Sequence, residues 1–486
     1  IKTRNIQTLN LARNCGSFMQ KLDDHQRFTM ALARKDVPRL RQLIRQAIKH
    51  KTSIRKIVNK IEDCFDGVYK AKGFDTNDLD LALLAYRLGG QGLIYAFSQE
   101  IGIPSIRTLR CKKHFKRIMP SLGIPTKEDA IFNMRELFGP KVADPAAPKP
   151  FRSGMSVLWD EVSQEEVACY FPHADAVGGF CREHSHLVNT RLTTFENAVS
   201  LAEGLDSGVM HYGKEASVIA MASFDTDHRG AYPVLISPTC KSESPKDSGI
   251  LIQNILDAWQ ETYANDLGPI WSFATDGDAS RRVMAYQKFM RHTIKPSHKL
   301  FKYLGHLPGL NLCVGDTDIT VDFDWKHIIK RFGRLLRTQE GMIVNDTVIN
   351  PESLFRHLRR SPDLSDLDIE HMLNPADAQD VPKALKFIQA ITAIRTYPTD
   401  KCTPADHQDI RILGAVGEML SAFMDAFIHP DWSLTQQLTS LSKYVHIVFV
   451  LFCDGRGSFM PHQLYSDSQA SVKTQYFNTA KQQLLN

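Results

Sequence analysis

The 486-residue sequence lacks several features that would place it in a protein class at once. Its nine cysteines include no CxxC pair, which excludes a paired-cysteine zinc ribbon and a thioredoxin-type redox motif. No apolar run approaches the roughly 20 residues that cross a bilayer. The longest one, Tyr444 to Cys453, predicts a buried strand or helix. We therefore expect a soluble protein with no membrane partner and with the reduced thiols of a cytosolic or nuclear compartment.

The cysteines and histidines leave one zinc alternative open. Cys181, His184 and His186 bring three nitrogen or sulfur donors together in a CxxHxH pattern. A structural zinc site needs a fourth ligand, and only Cys169 or His173 lies near in sequence. The pattern therefore favours buried polar residues on a strand and turn.

Charge is distributed unevenly along the chain. Residues 1–150 hold 28 Lys and Arg against 14 Asp and Glu, a balance of +14 that leaves −9 for the rest of a chain with net charge +5. A basic front half and an acidic back half predict a polyanion-binding surface in one part and carboxylate chemistry in another. A solvated basic helical surface is the alternative. The first residue is Ile, and the sequence stops inside a helical pattern, so we expect a protein truncated at both ends.

The first part of the chain has helical periodicity and a basic segment. Two apolar helices, Leu79 to Leu88 and Leu93 to Ile101, are followed by a turn with Gly102 and Pro104. A third helix then carries a run of cations: Arg107, Arg110, Lys112, Lys113, Lys116 and Arg117. This order predicts a helix-turn-helix DNA-binding unit at 79–118. The alternative is a bundle of three helices with a solvent-exposed basic face.

Beyond a Pro-rich linker at 139–150, the pattern becomes α/β. Strands are predicted at Met155 to Val162, Ala216 to Phe224, Tyr232 to Pro238, Ile270 to Thr275 and Ile319 to Phe323, with helices at Ile250 to Tyr263 and Ser280 to His292. Two of these strands end in acids, Asp160 and Asp276. Such acids are held at the edge of a core, where their hard oxygen donors select Mg²⁺ or Mn²⁺ for phosphodiester chemistry.

The last predicted strand leads into a basic amphipathic helix. Asp324 is placed to cap that helix. Its polar face is basic, with Lys326, Lys330, Arg334 and Arg337, and its buried stripe is Ile328, Ile329, Phe332, Leu335 and Leu336. Because the basic face lies beside the acids, it predicts a contact with a DNA backbone. The alternative is an ordinary solvent-exposed face of an amphipathic helix.

At these residues the sequence resembles the P-element and THAP-type DNA transposases, members of the DDE superfamily. Asp160 matches the family's first acid, Asp276 matches the second, and Asp324, His327 and Lys330 match an Asp-x-x-His-x-x-Lys element. Arg334 is one position away from the family's next basic residue. The resemblance covers roughly residues 80–486 and implies an RNase H-like core interrupted by an all-α insertion.

The resemblance also implies an organisation, a function and a set of partners. The expected parts are a helical basic region at 1–138, the linker at 139–150, the first part of the core at 151–338, a helical insertion at 339–470 and a return to the core at 471–486. We expect a nuclear transposase, a helix-turn-helix protein of a transposable element, that performs DNA transposition. It would bind Mg²⁺ or Mn²⁺ at Asp160 and Asp276, use Asp324 and His327 as support, bind transposon-end and target DNA, and form homo-oligomers. GTP is a further candidate ligand, although no Walker A pattern occurs.

One departure from the family leaves the activity open. The family's third acid is a Glu in an Asp-x-Leu-Glu motif after the insertion, and that motif does not occur here. The alternative is a domesticated, catalytically inactive DNA-binding or scaffold protein that keeps the fold. An unrelated helical regulatory protein with an α/β core is a third interpretation.

Overall fold

The computed structural model describes residues 2–33, 44, 54–65, 74, 76–100, 102–112, 118–139, 153–225, 230–376 and 380–485. The chain divides into two compact units, Ile1–Lys116 and Arg117–Asn486. Most of the predicted linker at 139–150 and the cations Lys113, Lys116 and Arg117 lie outside the described residues.

The described residues of the first unit are helical, apart from residue 74 and the turn at 102–105. Its helices are α1 (Lys2–Ala33), α2 (Ile54–Phe65), α3 (Thr76–Glu100) and α4 (Ile106–Lys112). Helix α3 bends at Gly90, whose positive φ of 64° is a conformation that favours glycine. The sequence predicts two apolar helices here, separated by Gly89-Gly90. A small core of Leu79, Ala82, Ile94 and Leu109 packs α3 against α4.

The second unit is mixed α/β and contains the sheet. Its first elements are α5 (Lys127–Phe138), β1 (Met155–Ser163), β2 (Cys169–Phe171), β3 (Ala176–Gly178), α6 (Phe195–Asp206), β4 (Glu215–Ser223), β5 (Ala231–Thr239), α7 (Pro245–Thr262), α8 (Ala264–Leu267), β6 (Ile270–Thr275) and α9 (Ala279–Phe289). They are followed by β7 (His292–Thr293), α10 (Phe301–Leu304), β8 (Cys313–Val314), β9 (Thr320–Phe323) and α11 (Trp325–Leu336). The five predicted strands are all present, each within a residue or so of its expected bounds.

The central sheet is mixed and has the strand order β5-β4-β1-β6-β9. Strand β4 pairs antiparallel with both β1 and β5, whereas β6 pairs parallel with β1 and β9 pairs parallel with β6. Five of the six residues of β6 are buried, so both faces of the sheet are covered at its centre. Consequently, the carboxyl ends of three neighbouring parallel strands meet at one edge of the sheet.

Helix α5 belongs to this second unit, although the sequence analysis grouped it with the N-terminal region. Its buried residues Met134 and Leu137 join the main core, and the Asn133 side-chain amide donates to the carbonyls of Met119 and Val234, at 2.9 and 3.1 Å. Because Asn133 is fully buried, these hydrogen bonds fix α5 to strand β5.

The segment after α11 is helical except for one hairpin. Its elements are β10 (Met342–Val344), β11 (Thr347–Ile349), α12 (Pro351–Leu358), α13 (Asp366–Leu373), α14 (Val381–Thr392), α15 (Pro404–Ile428), α16 (Leu434–Phe459) and α17 (His462–Leu485). The sequence predicts an all-α segment here, and the hairpin of β10 and β11 departs from that prediction. Its turn, Asn345-Asp346, has positive φ at both residues, which is the conformation that a two-residue hairpin needs.

Helix α16 is long and apolar enough to cross a membrane, as judged by length and composition alone. Core helices of globular proteins meet the same criterion. Here Leu441, Tyr444, Val448 and Phe452 are buried in the main core. The apolar run that the sequence assigned to a buried strand or helix lies within α16 and is buried on one side only, since Phe449 and Val450 are 56% and 64% exposed.

Helix α17 returns to the sheet. It begins at His462, earlier than the residue 471 expected from the sequence, and runs as one helix to Leu485. The Thr474 hydroxyl donates to the Val321 carbonyl at 2.6 Å, and the Lys481 ammonium donates to the Trp271 carbonyl at 2.7 Å. These side chains bind α17 to strands β9 and β6.

Candidate metal centre

The candidate site lies where the three parallel strands end. Trp159 of β1 pairs with Thr275 of β6, and Thr275 pairs with Phe323 of β9. The residues that directly follow this row are three aspartates: Asp160, Asp276 and Asp324. The strand register therefore brings two distant acids and the helix cap together at one edge of the sheet, where ligands bind in open parallel sheets.

Asp160 and Asp276 form a cluster with a third acid, Glu161. One carboxylate oxygen from each of the three lies within 4.8 Å of the others. Asp160 is exposed, and one of its oxygens accepts the Glu161 backbone amide at 2.9 Å. Oxygen donors at this spacing, with one exposed carboxylate, suit a hard divalent cation.

Glu161 is held more tightly than its neighbours. Its carboxylate accepts the Trp159 indole N–H at 3.1 Å and the Ser217 hydroxyl at 3.0 Å, and it forms a salt bridge with Arg281. Burial raises the pKa of Glu161, and this effect outweighs the lowering by Arg281 and Ser217. Glu161 is thus a buried acid that depends on one guanidinium for its counter-charge.

Asp276 begins a tight turn at the end of β6. Gly277 takes a φ of +88°, and the Asp278 amide donates back to Asp276 Oδ1 at 3.1 Å. Burial opposes ionisation, but Arg281 at 3.6 Å, the Asp278 amide and His327 together lower the pKa of Asp276. Asp276 is therefore ionised at neutral pH and ready to accept a cation.

Helix α9 starts directly at this cluster. Asp278 is its N-cap, accepting the backbone amides of Ser280 and Arg281 at 2.9 and 3.3 Å. The cap places Arg281 in the first turn, with its side chain only 6% exposed. One of its terminal nitrogens, Nη1, is buried with no hydrogen-bond partner. The contacts of Arg281 with Glu161 and Asp276 are both made by its other terminal nitrogen, Nη2.

Asp324 and His327, the residues expected to support the site, lie near the carboxylates: Asp324 directly follows β9, and His327 contributes to the lowered pKa of Asp276. The Asp324 amide donates to the Thr275 carbonyl at 3.0 Å, which joins the ends of β9 and β6. The Asp324 side chain caps α11 by accepting the Lys326 amide at 2.9 Å. His327 Nε2 lies 3.7 Å from Asp324 Oδ2. Because its carboxylate faces its own helix, Asp324 is a structural cap here.

Helix α11 presents part of the predicted basic face. Lys326 and Arg334 are exposed and Lys330 is half-buried, whereas the expected apolar stripe is buried except for the partly buried Leu335. Arg337 is different from the prediction. It is only 7% exposed and donates to the Met372 carbonyl at 2.7 Å. Arg337, about one helical turn after the exposed Arg334, is therefore buried in the core.

The N-terminal cations that the structure describes are on the surface of their unit. Arg107, Arg110 and Lys112 are exposed on α4, and Leu109 between them is buried. Their placement leaves a basic surface on one short helix of the first unit.

Helix α17 has a single acid, Asp467, and it is fully buried. Its carboxylate accepts Arg282 Nε at 3.0 Å and forms salt bridges with Arg282 and Arg331. Arg282 also donates to the Gly277 carbonyl at 2.6 Å. Asp467 thus ties α17 to the turn that follows Asp276, and its own oxygens are occupied by guanidinium groups.

Asp322 is a further acid near this edge of the sheet. It lies in β9 and directly precedes Phe323, the residue that pairs with Thr275. It accepts a hydrogen bond from the Gln475 side chain of α17 at 3.3 Å and from the Phe323 amide at 2.8 Å. Burial raises the pKa of Asp322 to about 7. This acid therefore changes charge near neutral pH.

Glu161 belongs to the carboxylate cluster and Arg281 forms a salt bridge with it, but neither was among the residues predicted from the sequence. Glu161 directly follows Asp160, and strand alternation should turn it to the opposite face. Its longer side chain nevertheless brings an oxygen back to the cluster. A signal for Arg281 was present, because a residue three positions after the helix cap Asp278 lies in the first helical turn.

Comparisons with known proteins add little to this geometry. No family model matches the chain, and no curated protein matches it. Among solved structures, the chain is similar to the Drosophila P element transposase strand transfer complex, with 12% sequence identity and a TM-score of 0.46. The match covers 90% of this chain and 86% of that chain. At this identity and TM-score the functional conclusion has to come from the site itself.

Proposed function

We propose that this chain is a DNA transposase-like protein that cleaves and joins DNA strands with divalent metal ions in an RNase H-like core. The observation that carries the proposal is the placement of Asp160 and Asp276. They directly follow the paired residues Trp159 and Thr275 on neighbouring parallel strands, and their carboxylates lie within 4.8 Å of each other.

The sheet supports the same proposal. The strands β5, β4 and β1 form an antiparallel meander, and the parallel strands β6 and β9 extend it. This strand order supports the RNase H-like core that we propose. The helical segment between α11 and α17 leaves the sheet and returns to it, as an insertion in such a core would. Both observations are independent of the acids themselves.

The side chains fit a hard divalent cation. Asp160 and Asp276 would hold it, because both offer carboxylate oxygens and the lowered pKa of Asp276 keeps that group ionised. Bound Mg²⁺ or Mn²⁺ would activate an attacking oxygen and stabilise a leaving oxygen in phosphodiester chemistry. Arg281 would limit the negative charge of the cluster, and Asp324 would fix the neighbouring strand end.

The DNA backbone would lie along α11. This helix begins at Trp325, directly after its cap Asp324, and its Lys326 and Arg334 are exposed to solvent. Cations on a helix face next to an acidic metal site bind phosphate without reading sequence. In the first unit, Arg107, Arg110 and Lys112 offer a second basic surface, for which we retain the proposed helix-turn-helix role in DNA binding.

The test compares three variants of the full chain. Asp160→Asn and Asp276→Asn should each weaken Mn²⁺ binding by more than about tenfold, as measured by calorimetry, since each removes a proposed ligand. Both should also abolish Mn²⁺-dependent nicking of a supercoiled plasmid. The control is Glu166→Gln, an exposed acid close in sequence to Asp160 but outside the cluster. Nicking that survives in both aspartate variants would overturn the proposal.

A second candidate function is a catalytically inactive DNA-binding or scaffold protein with the same fold. Two observations favour it. Arg281 already neutralises Glu161 and lies 3.6 Å from Asp276, and the one acid of α17, Asp467, is paired with arginines. Under this alternative the wild-type chain would bind DNA at low salt yet show no nicking with Mn²⁺, and Asp160→Asn would leave DNA affinity unchanged.

A further inference from the structure

Four nitrogen and sulfur side chains meet at a second place in the unit that holds the sheet. Cys181 and His184 come from the loop after β3, His211 from the segment before β4, and Cys240 follows the end of β5. One ligand atom from each lies within 4.8 Å of all the others. Three separate stretches of chain therefore converge on one small volume.

The separations between these atoms fit a tetrahedral ion. His184 Nδ1 lies 3.2 Å from Cys181 Sγ and 3.6 Å from Cys240 Sγ, and the rings of His184 and His211 are 4.3 Å apart at their centroids. Zinc–sulfur bonds of about 2.3 Å and zinc–nitrogen bonds of about 2.0–2.1 Å place tetrahedral donors about 3.3–3.8 Å from one another. Small adjustments of side chains would bring all four donors into that range.

The surrounding hydrogen bonds orient two of the ligands. His211 Nε2 lies 2.9 Å from the Gly208 carbonyl and therefore carries the proton. The lone pair of His211 Nδ1 is then available to bind a metal ion. The Cys181 amide donates to the His211 carbonyl at 2.9 Å, which joins two of the three stretches. A carbonyl that fixes the tautomer of a histidine is the usual arrangement around zinc ligands.

The third stretch is held by Glu183, which lies between Cys181 and His184 in sequence. Its carboxylate accepts the Cys240 amide at 3.2 Å and the Thr239 hydroxyl. The neighbouring Arg182 amide donates to the Pro238 carbonyl at 2.9 Å. The backbone around the cluster is therefore tied together on both sides of the proposed ligands.

We propose that Cys181, His184, His211 and Cys240 bind one structural Zn²⁺ ion. Two thiolates and two imidazoles are a donor set that zinc prefers over Mg²⁺ and Ca²⁺. Four protein ligands leave no open coordination position, so the ion stabilises the fold and does not activate water. The sequence offered only the first two ligands, because His211 and Cys240 become neighbours through the pairing of β4 with β5.

The zinc ion would also support the carboxylate cluster. Arg182, which follows the ligand Cys181, is buried and donates to the Ser217 hydroxyl at 3.1 Å. Ser217 in turn donates to Glu161 at 3.0 Å. The loop fixed by zinc thus presents the arginine that orders the hydrogen bonds of Glu161, although the zinc site itself does not require the proposed DNA chemistry.

The first test is the metal content of the purified full chain. We expect one zinc per chain by mass spectrometry of the metal, and a loss of that zinc in Cys240→Ser and His211→Gln. Matched controls are Cys169→Ser and His186→Gln, which change an exposed thiol and an exposed imidazole close in sequence to the ligands. Both controls should keep one zinc per chain.

The second test uses the wild-type chain and therefore does not depend on the folding of variants. Removing zinc with a chelator and adding Co²⁺ should give the visible absorption of thiolate-bound tetrahedral cobalt, and one equivalent of Zn²⁺ should abolish it. No bound zinc and no cobalt absorption in the wild type would overturn the proposal. A Cys181–Cys240 disulfide, found by peptide mass spectrometry in reductant-free protein without zinc, would overturn it as well.

Discussion

Removing the Arg281 side chain should destabilise the unit that contains the sheet. Arg281 and its partner Glu161 are 6% and 9% exposed, so water cannot replace either charge. Arg281→Met keeps the length of the aliphatic stem but leaves the Glu161 carboxylate buried without its counter-charge. Breaking one partner of such a buried pair costs about 3–5 kcal/mol of unfolding free energy.

The pair is tested directly by removing both charges. Glu161→Gln keeps an acceptor for the Ser217 hydroxyl, and Arg281 retains Asp276 at 3.6 Å, so this single substitution should cost less than Arg281→Met. The double variant should be more stable than the sum of the two single losses predicts, by about 1–3 kcal/mol, because the residues are in contact. Arg281→Met should also lose less stability at acid pH, where Glu161 becomes protonated.

The assay is urea unfolding followed by tryptophan fluorescence. All five tryptophans lie between Trp159 and Trp432, within the second compact unit, so the signal reports on the unit that holds the sheet. The reasoning would be refuted if Arg281→Met lost less than about 1 kcal/mol and the two substitutions were additive. Glu166→Gln, an exposed acid outside the cluster, is the control and should change stability by less than about 0.5 kcal/mol.

Two further predictions concern the acids near α17. Asp467→Asn removes the buried charge that pairs with Arg282 and Arg331, so it should lower the unfolding free energy by about 3–5 kcal/mol in the same urea assay. It should leave the Mn²⁺ affinity measured by calorimetry unchanged. Weaker Mn²⁺ binding with intact stability would instead identify Asp467 as a metal ligand. Asp322 has a folded-state pKa raised to about 7 by burial, so stability falls as pH rises from about 4 to 7, where the folded chain holds the extra proton. In Asp322→Asn the urea midpoint should fall less between about pH 4 and 7 than it does in the wild type. An equal fall in both proteins would contradict the raised pKa of Asp322.

Local patterns in the sequence were sufficient to predict the five strands and the position of Asp160 and Asp276 after buried strand residues. Each strand is an apolar run bounded by polar residues, and Asp160 and Asp276 come directly after buried strand residues in the chain. These properties involve only near neighbours in sequence. The Asp324 cap is equally local, since its carboxylate accepts an amide two residues away.

The residues that sequence reasoning missed depend on contacts between distant segments. The pairing of β4 with β5 brings His211 close to Cys240, and the Phe180–Tyr212 bridge and the hydrogen bond from the Cys181 amide to the His211 carbonyl bring Cys181 to them. These contacts have no signature in the spacing of cysteines and histidines. Arg337 was placed on a wet face by helical periodicity, but α14 covers that end of the helix, and the guanidinium lies over the Phe387 ring at 4.9 Å. Helical periodicity cannot show which neighbouring element covers a given face.

The charge of the carboxylate cluster limits how many cations it holds by itself. Asp160, Glu161 and Asp276 carry three negative charges when ionised, and Arg281 balances one of them at close range. One divalent cation neutralises the remainder. A second cation in the same small volume would be repelled by the first unless further negative charge entered with it. A DNA phosphate supplies such charge, and so we expect one Mn²⁺ per chain without DNA and a second only in the DNA complex. Calorimetric titration of Mn²⁺ with and without duplex DNA measures both values, and two tight sites in the free chain would show that another acid completes the cluster.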